Sequence, residues 1–137
     1  MKNIPPFRSL FVAILATVSF VYCSVAKVDG IGRLDNKKFE QLSHKDGYTI
    51  LDVRTPEEYN GGHIAGAINI NVLEESNFIK ALEPMDKDKK YLVYCRSGKR
   101  SMTAARLMKA NGFLHLYDLE KGITGWTGPV TKPDDQK

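Results

Sequence analysis

The chain has 137 residues, enough for one compact domain with a core and too few for two. Its 42% apolar and 26% charged residues are the proportions of an ordinary globular protein, with no internal repeat or low-complexity block. Twenty Lys and Arg against 16 Asp and Glu give a formal charge of +4, too little to mark a general nucleic-acid or membrane patch.

Residues 1–26 differ from the rest. Lys2 and Arg8 make a basic start, and Leu10 to Ala26, LFVAILATVSFVYCSVA, is almost wholly apolar. Ser24-Val25-Ala26 sets small residues at positions −3 and −1 of a signal-peptidase cut before Lys27, the layout of a secretory signal peptide. The expectation is a periplasmic or secreted domain beginning at Lys27. Two alternatives stand beside it. One is an uncleaved membrane anchor, for which the run is short against the ~20 residues of a full span; the other is a lipoprotein cut at Cys23, where bulky Tyr22 is a poor neighbour. Membrane association is expected only in those two cases. Cleavage would lower the cations from 20 to 18 against 16 acids, a charge of +2, and leave Cys95 as the single thiol. An exported domain with one cysteine closes no internal disulfide.

Along the remaining chain, Asp35 can N-cap a helix in NKKFEQLS, with Phe39 and Leu42 on one face. Tyr48 to Val53 is a β-branched apolar run that reads as a buried strand. Thr55, Pro56 and Glu58 start a helix as N-cap, first-turn proline and capping-box acid. GGHIAGAINI is a Gly-rich turn feeding a short strand around Ala67 to Ile70, and ESNFIKALEPMD is a short helix ended by Pro84. Tyr91 to Tyr94 is the most strand-like stretch. SMTAARLMKANG comes next as a helix opening near Ser101, with Ala104, Leu107 and Met108 on one face and Asn111-Gly112 as its C-cap. FLHLYDL is another strand, GITGW a short helical turn, and residues 131–137 a disordered tail. Strands alternating with helices imply a parallel α/β sheet covered on both faces. Ligand sites in such sheets lie beyond the carboxyl ends of the strands, and Cys95 stands at one.

A lone cysteine beside an apolar strand is ordinarily an inert small hydrophobe. The neighbours of this one argue otherwise. The six residues CRSGKR, Cys95 to Arg100, hold three cations and a glycine between a strand and a helix. Gly98 lets the loop curl so that successive backbone N–H groups turn inward, and the helix N-terminus points at the same place. A helix N-terminus favours an anion by up to ~2 kcal/mol, and each charge-assisted hydrogen bond by about as much again. The loop is thus expected to hold Cys95 as a thiolate nucleophile. A phosphate-binding Gly-x4-Gly-Lys-Ser/Thr loop fails at Val93 and at Arg100. The spacing Cys-x4-Arg is one residue short of the Cys-x5-Arg of cysteine phosphatases, and a Cys-x-x-Cys pair is excluded.

CRSGKR with Ser101 after it resembles the active-site loop of the rhodanese sulfurtransferases. ILDVRTPEEYNGGHIAGAINI, Ile50 to Ile70, resembles another signature of that family, and LEKGITGW, Leu119 to Trp126, its closing segment. Ala65 stands where many members have proline, and Lys121 replaces the first of two glycines. The resemblance implies a rhodanese-like domain over 27–130, with a central parallel five-stranded sheet and helices on both faces.

The resemblance also implies a chemistry. Cys95 would take the sulfane sulfur of thiosulfate or another such donor, hold it as a persulfide, and pass it to cyanide or a thiol acceptor. Arg96, Ser97, Gly98, Lys99, Arg100 and Ser101 would bind substrate, with Arg100 closing the loop. Asp52 and Arg54 would support the site as an ion pair shaping its wall. No metal or cofactor is implied. His63 is expected to bond the backbone rather than act as a base, His44 and His115 suggest no metal site, and Trp126 reads as core packing. The same cysteine would also serve a persulfide carrier handing sulfur to a protein partner, or, with its loop too short, a phosphatase or arsenate reductase.

Overall fold

The computed structural model describes residues 25–133. The signal-peptide, anchor and lipoprotein readings concern residues 1–26, of which 1–24, Cys23 included, lie outside the described residues. In chain order the elements are β1 (Lys27–Val28), β2 (Ile31–Leu34), α1 (Asn36–Ser43), β3 (Tyr48–Asp52), α2 (Pro56–Asn60), β4 (His63–Ile64), β5 (Ile68–Asn69), α3 (Glu75–Leu82), β6 (Lys90–Tyr94), α4 (Lys99–Ala110), β7 (His115–Leu119), a 3-10 turn (Gly122–Gly125) and β8 (Val130–Thr131).

Local chemistry sets most of the boundaries. The Asp35 side chain accepts the Lys38 N–H at 2.7 Å and opens α1. Thr55 and Glu58 form a reciprocal capping box around Pro56 and open α2. α4 ends at Asn111, whose N–H returns to the Leu107 carbonyl, and Gly112 comes next at φ +91°.

The main sheet runs β1-β2-β7-β6-β3-β5. The five strands from β2 to β5 are all parallel, as expected. The sheet has six strands rather than five, because β1 adds an antiparallel two-residue edge to β2. β4 and β8 pair separately, His63 opposite Thr131. Thr131, placed in the tail by the sequence reading, is sheet-paired with His63, and residues 134–137 lie outside the described part.

Strand alternation divides the core. Tyr91 and Val93 of β6 face one side with Leu51 and Val53, under Phe78 and Leu82 of α3 and Met102, Ala105 and Met108 of α4. Leu92 and Tyr94 face the other side with Ile50, under Phe39 and Leu42 of α1. Trp126 packs edge-on against Phe39 at 5.9 Å, so it does serve the core. β6, central and buried on both faces, carries the chain to the sheet's carboxyl end. Leu92→Ala, at a fully buried position, should cost about 3 kcal/mol, read as a lower urea midpoint.

Candidate active site

Cys95 is the first residue past β6, and by the same alternation it falls on the α4 side with Tyr91 and Val93. It is a free thiol and only 1% exposed. The helix starts earlier than expected, at Lys99 rather than near Ser101. Only Cys95 to Gly98 lie outside regular structure, and Lys99 and Arg100 belong to the first turn of α4. The loop is thus tighter than the six-residue ring read from the sequence.

The 3-10 turn shapes this loop from outside. Ile123 N–H donates to the Cys95 carbonyl at 2.9 Å, and Thr124 N–H to the Arg96 carbonyl at 3.1 Å. Gly98 is left-handed at φ +92°, and a Cβ there would lie 2.1 Å from the Glu120 carbonyl oxygen. Gly122 is equally constrained, since its Cβ would meet the Arg96 carbonyl at 2.4 Å. Lys121 sits just outside the turn at φ −100°, which any residue adopts. Lysine is accommodated there because the second glycine of the pair, not the first, touches the loop.

Two donors reach the sulfur. Gly98 N–H donates to Sγ at 3.1 Å, and Ser101 Oγ lies 3.4 Å away. α4 has no side-chain cap, so its first-turn N–H groups face the site without a side-chain acceptor. Ser101 is fully buried and also lies 2.5 Å from Asp118 Oδ1. Asp118, at the carboxyl end of β7, pairs through Oδ2 with Arg33 of β2 at 3.1 Å. Burial pushes the Asp118 carboxyl above the usual carboxylate range, with Ser101 and Arg33 opposing.

The cations divide into two groups. Arg96 and Lys99 are exposed, as is Ser97, and no salt bridge engages either cation among the described residues. Arg100 turns elsewhere: its guanidinium grips Glu58 of α2 through two bonds of 2.7 and 2.8 Å. The residue expected to close the loop on substrate instead ties α4 to α2. Asp52 and Arg54 form a buried ion pair at 2.6 Å, and Asp52 also accepts the Tyr94 hydroxyl at 2.6 Å. Burial raises the Tyr94 phenol pKa, and the charge of Asp52 adds to the shift. Arg54 further donates to the Gly62 carbonyl. Arg54, Glu58, Arg96, Ile123 and Thr124 line an open cavity of about 320 Å³ beside the loop. His63 bonds the Tyr59 carbonyl through Nδ1 at 3.0 Å and stacks on the Tyr59 ring at 3.7 Å. No cluster of metal ligands occurs among the described residues.

Sequence reasoning missed Asp118, and it placed Glu58 only as a helix cap. An acid inside the apolar run LYDL was the available signal for Asp118. The Glu58–Arg100 pair spans 42 residues and left none.

The domain is a parallel α/β sheet with a cysteine at the carboxyl end of its central strand, set against a helix N-terminus, where ligand sites of such sheets lie. The model of the rhodanese-like domain matches residues 35–129, and the chain belongs to that family, whose activity is of the sulfurtransferase type. It is 34% identical over 94 residues to Bacillus subtilis YtwF, provisionally named a sulfurtransferase, covering 69% of this chain and 86% of that protein. It is 37% identical over 89 residues to YrkF of the same organism, provisionally named a sulfur carrier protein. That match covers 65% of this chain but only 46% of YrkF, so the chain spans about half the length of that relative. The crystal structure of a rhodanese-related protein from Thermoplasma volcanium superposes with a TM-score of 0.62 at 32% identity, covering 72% of this chain and 96% of that one.

Gly98→Ala should cost more than about 2 kcal/mol in thermal unfolding, because a left-handed alanine must also displace the Glu120 backbone. Glu58 offers a pH test. Its hydrogen bonds with Arg100 hold its carboxyl down at about 2 against burial, with the Thr55 N–H helping. A depressed folded value stabilises above the unfolded value of 4.5 and is lost as pH falls towards 2. Glu58→Gln should cost about 1 kcal/mol at neutral pH, allowing for solvent screening. The gap to wild type should narrow as pH falls through that window, followed by denaturant unfolding at several pH values.

Proposed function

We propose that the protein transfers sulfane sulfur from a small anionic donor, thiosulfate or a relative of it, to cyanide or a thiol acceptor through a persulfide on Cys95. The observation that carries this reading is the Cys95 sulfur, on the Gly98 amide and before the uncapped start of α4, with Arg96 and Lys99 exposed at the rim. In the first step the Cys95 thiolate attacks the outer sulfur of the donor. A new S–S bond forms, the donor's own S–S bond breaks, and its electron pair leaves with sulfite. In the second step the acceptor attacks the outer sulfur, and the bonding pair returns to Cys95 Sγ. The first-turn N–H groups suit a terminal sulfur carrying negative charge, an oxyanion hole adapted to a larger atom. The basic and apolar layout of residues 1–26 supports export to the periplasm or beyond the cell.

A second reading has one observation in its favour, the provisional sulfur-carrier name of YrkF. In it the persulfide is handed to a protein partner with little turnover on small acceptors. A phosphatase is less favoured: Arg100, the arginine that would grip phosphate, is committed to Glu58.

Thiosulfate and cyanide should yield thiocyanate with wild-type protein and none above background with Cys95→Ser. Equal rates in the two would sink the enzymatic reading. Intact-mass measurement after thiosulfate treatment separates the readings, because a stable added sulfur atom without turnover marks a carrier.

A further inference from the structure

The Ser101 hydroxyl has one proton and two neighbours that can hold negative charge. Asp118 Oδ1 is 2.5 Å from its oxygen and Cys95 Sγ is 3.4 Å away. Ser101, Asp118 and Cys95 are all 1% exposed or less, so bulk water does not separate the charges. Two anions on either side of one hydroxyl repel, and such a pair holds a shared proton rather than ionising independently.

The hydroxyl therefore has two orientations. With Asp118 ionised, Ser101 donates to the carboxylate and offers its lone pair to the sulfur, which then keeps its proton and donates it. With Asp118 protonated, the carboxylic acid donates to Ser101, and the hydroxyl proton turns to a sulfur that is a thiolate.

We propose that Asp118 is a positioning residue that decides, through Ser101, whether the Cys95 sulfur is a thiol or a thiolate. The inference rests on the reading of Cys95 as the nucleophile. Passage between the two states moves two protons. The thiol proton goes to Ser101 Oγ, and the Ser101 proton goes to Asp118 Oδ1. The S–H bond breaks with its electron pair left on sulfur, an O–H bond forms on Asp118, and one negative charge moves from carboxylate to sulfur. The persulfide keeps one negative charge on its terminal sulfur, so the proton stays on Asp118, and Ser101 is already turned to donate when the pair returns to Sγ. Alkylation leaves no charge on sulfur, and Asp118 then ionises.

Every charge facing the relay has a place in this balance. Arg33, from β2, holds the other carboxylate oxygen and favours the ionised acid. Glu120, just after β7, opposes that ionisation. On the sulfur side stand the Gly98 N–H and the Arg100 cation of α4. Burial works on Asp118 in the direction that lets it accept a proton.

The test is the pH dependence of iodoacetamide alkylation in the full chain, followed at Cys95 by peptide mass so that Cys23 does not contribute. In Asp118→Asn the amide oxygen keeps the Arg33 side, where a donor faces it, and the NH2 takes the place of Oδ1, so Ser101 accepts from the amide and donates to sulfur. The midpoint of the alkylation profile should fall by about one pH unit, a roughly tenfold faster reaction on its acid side. In a Ser101→Ala background the same substitution should shift the midpoint by less than about a third of that amount, since only the through-space charge effect remains. An unchanged midpoint in Asp118→Asn, or an undiminished shift without Ser101, overturns the proposal. Should Asp118→Asn not fold, infrared difference spectra of wild type on alkylation give the answer. At alkaline pH a protonated carboxyl band should be lost and a carboxylate band gained, and no such exchange overturns the proposal. Alkylation requires no sulfur transfer, so a negative thiocyanate assay and a negative result here are read separately.

Discussion

The Cys95 and Arg96 carbonyls are held outward by the N–H groups of Ile123 and Thr124, and the site depends on that pairing. In a trans peptide the N–H points opposite to the C=O. Fixing these two carbonyls on the 3-10 turn therefore turns the Arg96 and Ser97 N–H groups away from that turn. Gly98 completes the curl in a left-handed conformation and sends its own N–H to the sulfur. Neither glycine of this contact tolerates a side chain, because Gly98 abuts the Glu120 carbonyl and Gly122 abuts that of Arg96. The segment after β7 is thus a mould for the loop after β6, and α4 starts from whatever direction that mould imposes.

Around the mould, charge is either neutralised or left at the surface. Arg33, Arg54 and Arg100 each meet a carboxylate, on Asp118, Asp52 and Glu58 respectively. The Asp52–Arg54 pair is buried, and the Tyr94 hydroxyl and the Gly62 carbonyl supply further hydrogen bonds to it. Arg96 and Lys99 stay exposed beside the opening. Fixed charges thus build the walls, and a smaller number of unengaged ones face whatever arrives.

Much of the fold was legible because its signals are local. The Thr55-Pro56-Glu58 start, the Asp35 cap, the apolar runs of β3 and β6 and the Asn111-Gly112 stop each act within a few residues. What escaped was long-range. β2 is a four-residue strand with an arginine in it, and its identity comes from pairing with β7 some 85 residues later. β4 and β8 are two residues each and exist only as partners. Cys95 was found because a thiol beside three cations is chemically odd in one short stretch. For Arg100 the resemblance implied a substrate contact, and no local signal pointed to the acid on another helix with which it pairs in the structure.

The position of β6 has a mechanical consequence. It is paired along its length, five residues to β3 and four to β7, so its backbone is fastened from both sides. The roof over Cys95 is fastened by two hydrogen bonds from the 3-10 turn. Floor and roof therefore differ in how readily they open. A strand paired on both sides must break two ladders to open, whereas a turn held by two hydrogen bonds has only those to break. The thiol lies where a strand anchored on both sides meets a cover anchored by two bonds, so its position in the sheet does not depend on that cover.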